Sequence, residues 1–270
     1  MRLSARGGVH MLNKLKRILA AALLLYTAGE SLSQAQEDTS GMREVTVADN
    51  RYSGFGRIVA NGRFDISLCN SDECRTIVSA DREISQYVHV YVKDSTLYLE
   101  LDDAAFPPEL KKVFSGRNAA VPVLKAEIHV DGLRSLVMHE NVVLDNSSEF
   151  TADSLSLFMD GSSMISSLDL SCRHFSMNMT RNSSANVSVS ADSLDIRTSA
   201  ASELEISCEA GTASFMAAGS SSVRVSGDFG ECRLFSESSG HFEAEGSASH
   251  CYVTGRGASR IDVFIVSNQG

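Results

Sequence analysis

A period of 19 residues is the strongest constraint on what this chain can become. Leu168, Val187, Ile206, Val225, Ala244 and Val263 recur at that interval without a break. Leu157, Met177, Ile196, Phe215, Leu234 and Val253 form a second apolar column, with one step of 20 residues and 19 thereafter. Leu155, Phe175, Leu194, Ala213, Cys232 and Cys251 form a third. A column of small residues accompanies them: Ser163, Ser183, Ser202, Ser221, Gly240 and Ser259. A fixed period of this size marks a stacked-repeat architecture.

Within each unit the residues alternate in twos, as in Leu194-Asp195-Ile196 and Leu204-Glu205-Ile206. Alternation puts the apolar side chains on one face of a strand and the polar ones on the other. A single unit cannot bury its apolar face. Stacking units about 4.8 Å apart pairs their strands and builds a continuous core. The Ser, Val and Thr content argues against a helical solenoid. The chain therefore predicts an all-β fold, a single-stranded parallel β-helix (a solenoid) with rungs of about 19 residues over residues 124–270. The column of small residues predicts tight corners. The extra residue of the first step, between Met164 and Ser167, predicts a bulge at one of them.

Residues 45–123 read differently. Phe64-Asp65-Ile66-Ser67-Leu68, Val88-His89-Val90-Tyr91-Val92 and Leu97-Tyr98-Leu99-Glu100-Leu101 alternate, with turn residues such as Lys93-Asp94-Ser95 between them. They predict antiparallel hairpins preceding the solenoid. Phe106-Pro107-Pro108 and the following Glu109 to Phe114 predict a loop with one helical turn.

Residues 1–35 read as a signal peptide: Lys14, Lys16 and Arg17 precede the apolar run Ile18 to Tyr26, which is short for a membrane span. Ser33-Gln34-Ala35 fits a cleavage site between Ala35 and Gln36, and residues 36–44 read as a polar leader. Met11 is an alternative start just ahead of the basic cluster. No later segment is long and apolar enough for an integral membrane span. Export implies the periplasm, the outer-membrane surface or the medium. The formal net charge of −10 argues against nucleic acid and anionic lipid as partners.

An oxidising compartment gives weight to the 6 cysteines. Cys69 and Cys74 flank Asn70-Ser71-Asp72-Glu73, and a disulfide would close that turn if the flanking strands pair. Cys232 and Cys251 share a column and point inward, as paired buried thiols or a stacking disulfide; Cys172 and Cys208 belong to different columns. Catalysis on a β-helix needs acid/base groups converging on one groove. The outward column Glu205, Arg224, Glu243, Asp262 holds the best acidic pair, Glu243 and Asp262, but its alternating charge predicts a solvated ion-pair ladder. No catalytic, cofactor or metal site is expected. The serine column is read in two ways, as corner hydroxyls bonded to backbone or as a hydroxyl-rich strip of Ser163, Ser183, Ser202, Ser221 and Ser259 for a glycan or protein.

Gly161-Ser162-Ser163-Met164-Ile165, the stretch Gly219-Ser220-Ser221-Ser222-Val223-Arg224-Val225 and Gly257-Ala258-Ser259-Arg260-Ile261-Asp262-Val263 share one rhythm. Together with Tyr52-Ser53-Gly54-Phe55-Gly56-Arg57-Ile58, Phe64 to Leu68 and Leu97-Tyr98-Leu99, they resemble the GIN head domain, an autotransporter-adhesin head common in Bacteroidetes envelope proteins. The likeness spans roughly residues 45–266, with Arg181-Asn182 interrupting the usual Gly-Ser-Gly corner. The resemblance implies a β-helical, exported, non-enzymatic protein that holds a macromolecular surface ligand. A periplasmic structural or regulatory module docking on an envelope protein is the alternative, and a carbohydrate-active β-helix enzyme a third. The uncapped apolar end from Val263 to Val266 offers an edge for a homodimer.

Overall fold

The computed structural model describes residues 44–114 and 122–267. From residue 143 onward the chain winds regularly. Strands β9 (Val143–Met159), β10 (Met164–Met179), β11 (Ser184–Thr198), β12 (Glu203–Ala217), β13 (Ser222–Ser236), β14 (His241–Gly255) and β15 (Arg260–Ser267) pair in parallel, each with the next. From β10 onward the register advances by 19 residues, so Val187 faces Ile206, which faces Val225, which faces Ala244. The solenoid with rungs of about 19 residues is the architecture of the protein.

Each rung has two arms. In β12 the inward residues are Leu204, Ile206, Cys208 and Ala210, then Ala213, Phe215 and Ala217. The inward phase slips by one residue at Gly211 and Thr212, where the strand rounds a corner. Asp192, Gly211 and Gly230 stack at this corner, and a Cβ at Gly230 would lie 2.5 Å from the Gly211 carbonyl oxygen. A side chain there would displace the neighbouring rung's backbone, which is why glycine occupies the position.

The second corner is a four-residue turn. Its second residue is left-handed in every rung: Gly161 (φ 72°), Arg181 (φ 64°), Ala200 (φ 59°), Gly219 (φ 70°), Ser238 (φ 61°) and Gly257 (φ 74°). Stacked turns bond to each other, with Ala201 N–H donating to Arg181 O at 2.8 Å and Ser220 N–H to Ala200 O at 2.7 Å. The register of β10 shifts between Ile165 and Leu168, which places the bulge where the 20-residue step predicts it.

The core is a stack of aligned apolar columns. Phe215 packs edge-on against Phe229 and Phe242, with ring centroids 6.2 and 6.1 Å apart. Such pairs add roughly 0.5–1.5 kcal/mol to the burial of the rings.

Upstream of β9 the stacking order departs from the sequence order. The strands are β1 (Glu44–Asn50), β2 (Arg57–Gly62), β3 (Asp65–Asn70), β4 (Arg75–Asp81), β5 (Val88–Lys93), β6 (Thr96–Leu101), β7 (Leu124–Val130) and β8 (Ser135–Glu140), with a short helix α1 (Pro108–Val113) before β7. β5 and β6 form the expected antiparallel hairpin. β2, however, lies parallel between β6 and β8, and β3 lies parallel between β7 and β9. β4 runs antiparallel to both β1 and β7. β2 and β3 thus form a coil of the solenoid under β8 and β9, and the solenoid begins before residue 124.

Two asparagines knit this part to the regular stack. β3 pairs with β9 only at Asp65 and Ile66. Beyond that point buried Asn146 takes over: its Oδ1 accepts from Leu68 N–H at 3.0 Å and its Nδ2 donates to Ser148 O at 2.8 Å. Asn70 does the same from β3, accepting from Thr151 N–H and donating to Thr151 O.

Candidate functional site

The outward faces carry whatever the protein does, because the inward ones are packed. Alternation sends Glu205, Arg224, Glu243 and Asp262 outward, and the register places them side by side on β12 to β15. Arg224 Nε donates to Glu243 Oε2 at 3.0 Å, and no other pair of the column forms an ion pair among the described residues. That hydrogen bond, with the attraction of the Arg224 charge, holds the Glu243 carboxyl below its ordinary range.

Two residues along the same face lies His241, which the sequence reading passes over. Its Nε2 sits 3.2 Å from Glu243 Oε1 and 4.0 Å from Asp262 Oδ2. Asp262 Oδ2 also accepts from Arg260 Nε at 2.8 Å. Next to these groups Arg224, Glu243, Glu245, Arg260, Asp262 and Phe264 line a cleft of about 400 Å³. Phe264 is 78% exposed. The signal that could have revealed His241 was its place on the outward phase two residues before Glu243.

The serine column is not an exposed strip. Ser163, Ser183, Ser202 and Ser221 are 0–1% exposed. Ser183, Ser202 and Ser221 each donate to a carbonyl three residues back, Thr180, Ser199 and Ala218, at 2.8 Å. Ser163 donates to Glu140 O. These hydroxyls brace the turn from inside, where no ligand reaches them. Ser259, on the last turn, is partly exposed.

No disulfide joins the cysteines of the described residues. The hairpin that would join Cys69 to Cys74 is absent, because β7 runs between β3 and β4. Cys232 and Cys251 face each other in register, as the column predicts. Burial pushes the Cys208 and Cys232 thiols up to about 12 and the Cys172 thiol to about 11, so none is a nucleophile near neutral pH. His129 Nε2 lies 2.6 Å from Glu127 Oε1, beside Cys69. The cleavage site at Ala35 and Gln36 lies outside the described residues. No helix among those residues is long and apolar enough to cross a membrane.

The family model described as "Putative auto-transporter adhesin, head GIN domain" matches residues 54–226 and 184–268. No curated protein matches the chain. Among solved structures, a "putative adhesin" from Bacteroides fragilis superposes with a TM-score of 0.64 at 15% identity, covering 83% of this chain and 97% of its own. A "Putative lipid binding protein" from Parabacteroides distasonis superposes with a TM-score of 0.56 at 17% identity, over 84% and 98%. A "putative adhesin" from Parabacteroides merdae gives 0.52 at 12% identity, over 84% and 97%. At these identities the structures share the fold. The family match runs through both the interleaved N-terminal strands and the regular rungs, and by it the chain belongs to the GIN head domain family.

Proposed function

We propose that the protein is exported and acts as a non-enzymatic, adhesin-like binder, holding a macromolecular ligand at the cell envelope or surface on an outward face of the solenoid. The observation that carries this reading is the repeated outward face itself. Successive rungs present polar side chains in register about 4.8 Å apart, an arrangement suited to extended ligands. The family name and the relatives described as adhesins point the same way. Binding of the purified chain to arrays of glycans and matrix proteins tests it. A saturable hit that weakens when Arg224 is reversed to Glu supports the reading. A blank across both arrays overturns it.

A second reading is docking on an envelope protein through the C-terminal end of the solenoid. Tyr252, Val253, Phe264 and Val266 are exposed there, although their equivalents in inner rungs are covered or polar. A co-purifying partner from cross-linked envelopes, lost on Phe264→Asp, favours it. Concentration-dependent sedimentation of the purified chain would instead identify the occupant as a second copy.

A further inference from the structure

The imidazole of His241 is the least settled group on the outward face. Its Nε2 is closed off from solvent, yet it has no hydrogen-bond partner. The nearest carboxylate oxygens are Glu243 Oε1 at 3.2 Å, close enough for the His241 ring to help lower the Glu243 carboxyl, and Asp262 Oδ2 at 4.0 Å. A buried polar atom left in this way is destabilising until it gains a partner. The geometry that frustrates a hydrogen bond suits an ion. A tetrahedral cation bonded at about 2.1 Å holds neighbouring ligand atoms roughly 3.4 Å apart, with each ligand well off the other's lone-pair axis. The two separations at His241 bracket that value.

We propose that His241, Glu243 and Asp262 form a binding site for a divalent transition-metal ion of the zinc type, open toward the cleft beside Phe264. One imidazole nitrogen and two carboxylate oxygens, all within 4.8 Å of one another, are the donor set such ions take. Glu243 and Asp262 also line the cleft of about 400 Å³, which has room for water or a ligand's own donor. Arg224 is bonded to Oε2 of Glu243, leaving Oε1 free for the ion, and Arg260 is bonded to Oδ2 of Asp262, which keeps its second lone pair. Hydrogen bonds of this kind orient metal-binding carboxylates. The same two positive charges nearly cancel the charge of Glu243 and Asp262, so the site binds its ion reversibly rather than as a permanent structural metal.

The alternative cluster, Cys69 with Glu127 and His129, is weaker on the same criteria. His129 Nε2 already has Glu127 at 2.6 Å, and burial pushes the Cys69 thiol up, away from the thiolate a metal needs.

Zinc titration of the purified full chain by calorimetry tests the proposal, with the thiols kept reduced. One saturable ion per chain is expected. It should weaken at least tenfold in both His241→Ala and Glu243→Gln, and be unchanged in His129→Ala and His250→Ala. Glu243 is a surface residue, so its variant keeps the experiment decisive if His241→Ala fails to fold. Cobalt in place of zinc should give visible d–d bands without the thiolate-to-metal absorption that a cysteine site produces. An absence of saturable binding, or binding that survives both site variants, or a thiolate absorption would each overturn the assignment.

Discussion

The protein solves one packing problem in two ways. From β9 to β15 every strand pairs with the next in sequence, so a contact is never more than about one rung away along the chain. Upstream, β2 waits for β6 and β8, and β3 for β7 and β9, so pairs form across roughly 40 to 80 residues. Both parts bury apolar columns equally well: Ile58, Leu68 and Leu99 are as closed to solvent as Val225 and Leu234. The difference lies in connectivity. Sequential stacking makes each rung's stability depend on its neighbours alone. Interleaving ties distant segments together at a higher loop-closure cost. At the last described rungs Val253 is 47% exposed while Leu234, one rung inward, is buried.

The largest effect is expected in the middle of the regular stack. Gly227 has φ 155°, and a Cβ there would fall inside the contact radius of the Cys208 carbonyl oxygen. Gly227→Ala should cost about 4 kcal/mol, as a rung displacement added to backbone strain. Urea unfolding measures the loss. Hydrogen exchange then shows whether β1 to β8 keep their protection, which would make the two parts separate folding units, or lose it together with β11 to β15.

Next comes the seam. Asn146→Ala removes the acceptor for Leu68 N–H and the donor to Ser148 O at a buried position. A loss of about 2 kcal/mol is expected. If it falls on β2 and β3 while the rungs from β10 onward stay protected, the seam is the boundary between the parts.

A smaller effect of opposite sign should follow from relieving the turns. Arg181 and Ala200 hold left-handed conformations that glycine occupies in sister rungs. The strain of roughly 1–2 kcal/mol per residue exceeds the freedom glycine adds to the unfolded chain. Arg181→Gly and Ala200→Gly should each raise stability by up to about 1 kcal/mol, read as a higher urea midpoint at unchanged slope.

The smallest effect is electrostatic. Asp49, paired with Arg75 at the N-terminal end, and Glu243, paired with Arg224 in the stack, both have carboxyls held below their ordinary range, chiefly by the arginine hydrogen bond. A depressed carboxyl stabilises the fold above its unfolded pKa and loses that contribution as pH falls through its folded pKa. Both pairs lie at the surface, so melting curves of Arg75→Ala and Arg224→Ala should stay close to wild type at neutral pH and converge with it in acid.

The chain's own residues determined the rungs. Their period of 19, the inward columns and the bulge after Ile165 were all legible, because a stacked coil repeats its burial at a fixed interval and leaves that interval in the sequence. The hairpin from Val88 to Leu101 was legible for the same local reason, two alternating runs around a turn. Only the tertiary structure decided the interleaving of β2 and β3. Strand pairing at long range leaves no period, and alternation is the same for parallel and antiparallel partners. Tertiary structure also decided the fate of the serines. A column of small polar residues fits internal corner braces and, less readily, a surface strip, and the direction of the turn placed it inward. At the candidate site the sequence showed Glu243 and Asp262 as neighbours. It could not show that the His241 ring turns toward them, because that depends on a rotamer and not on the register.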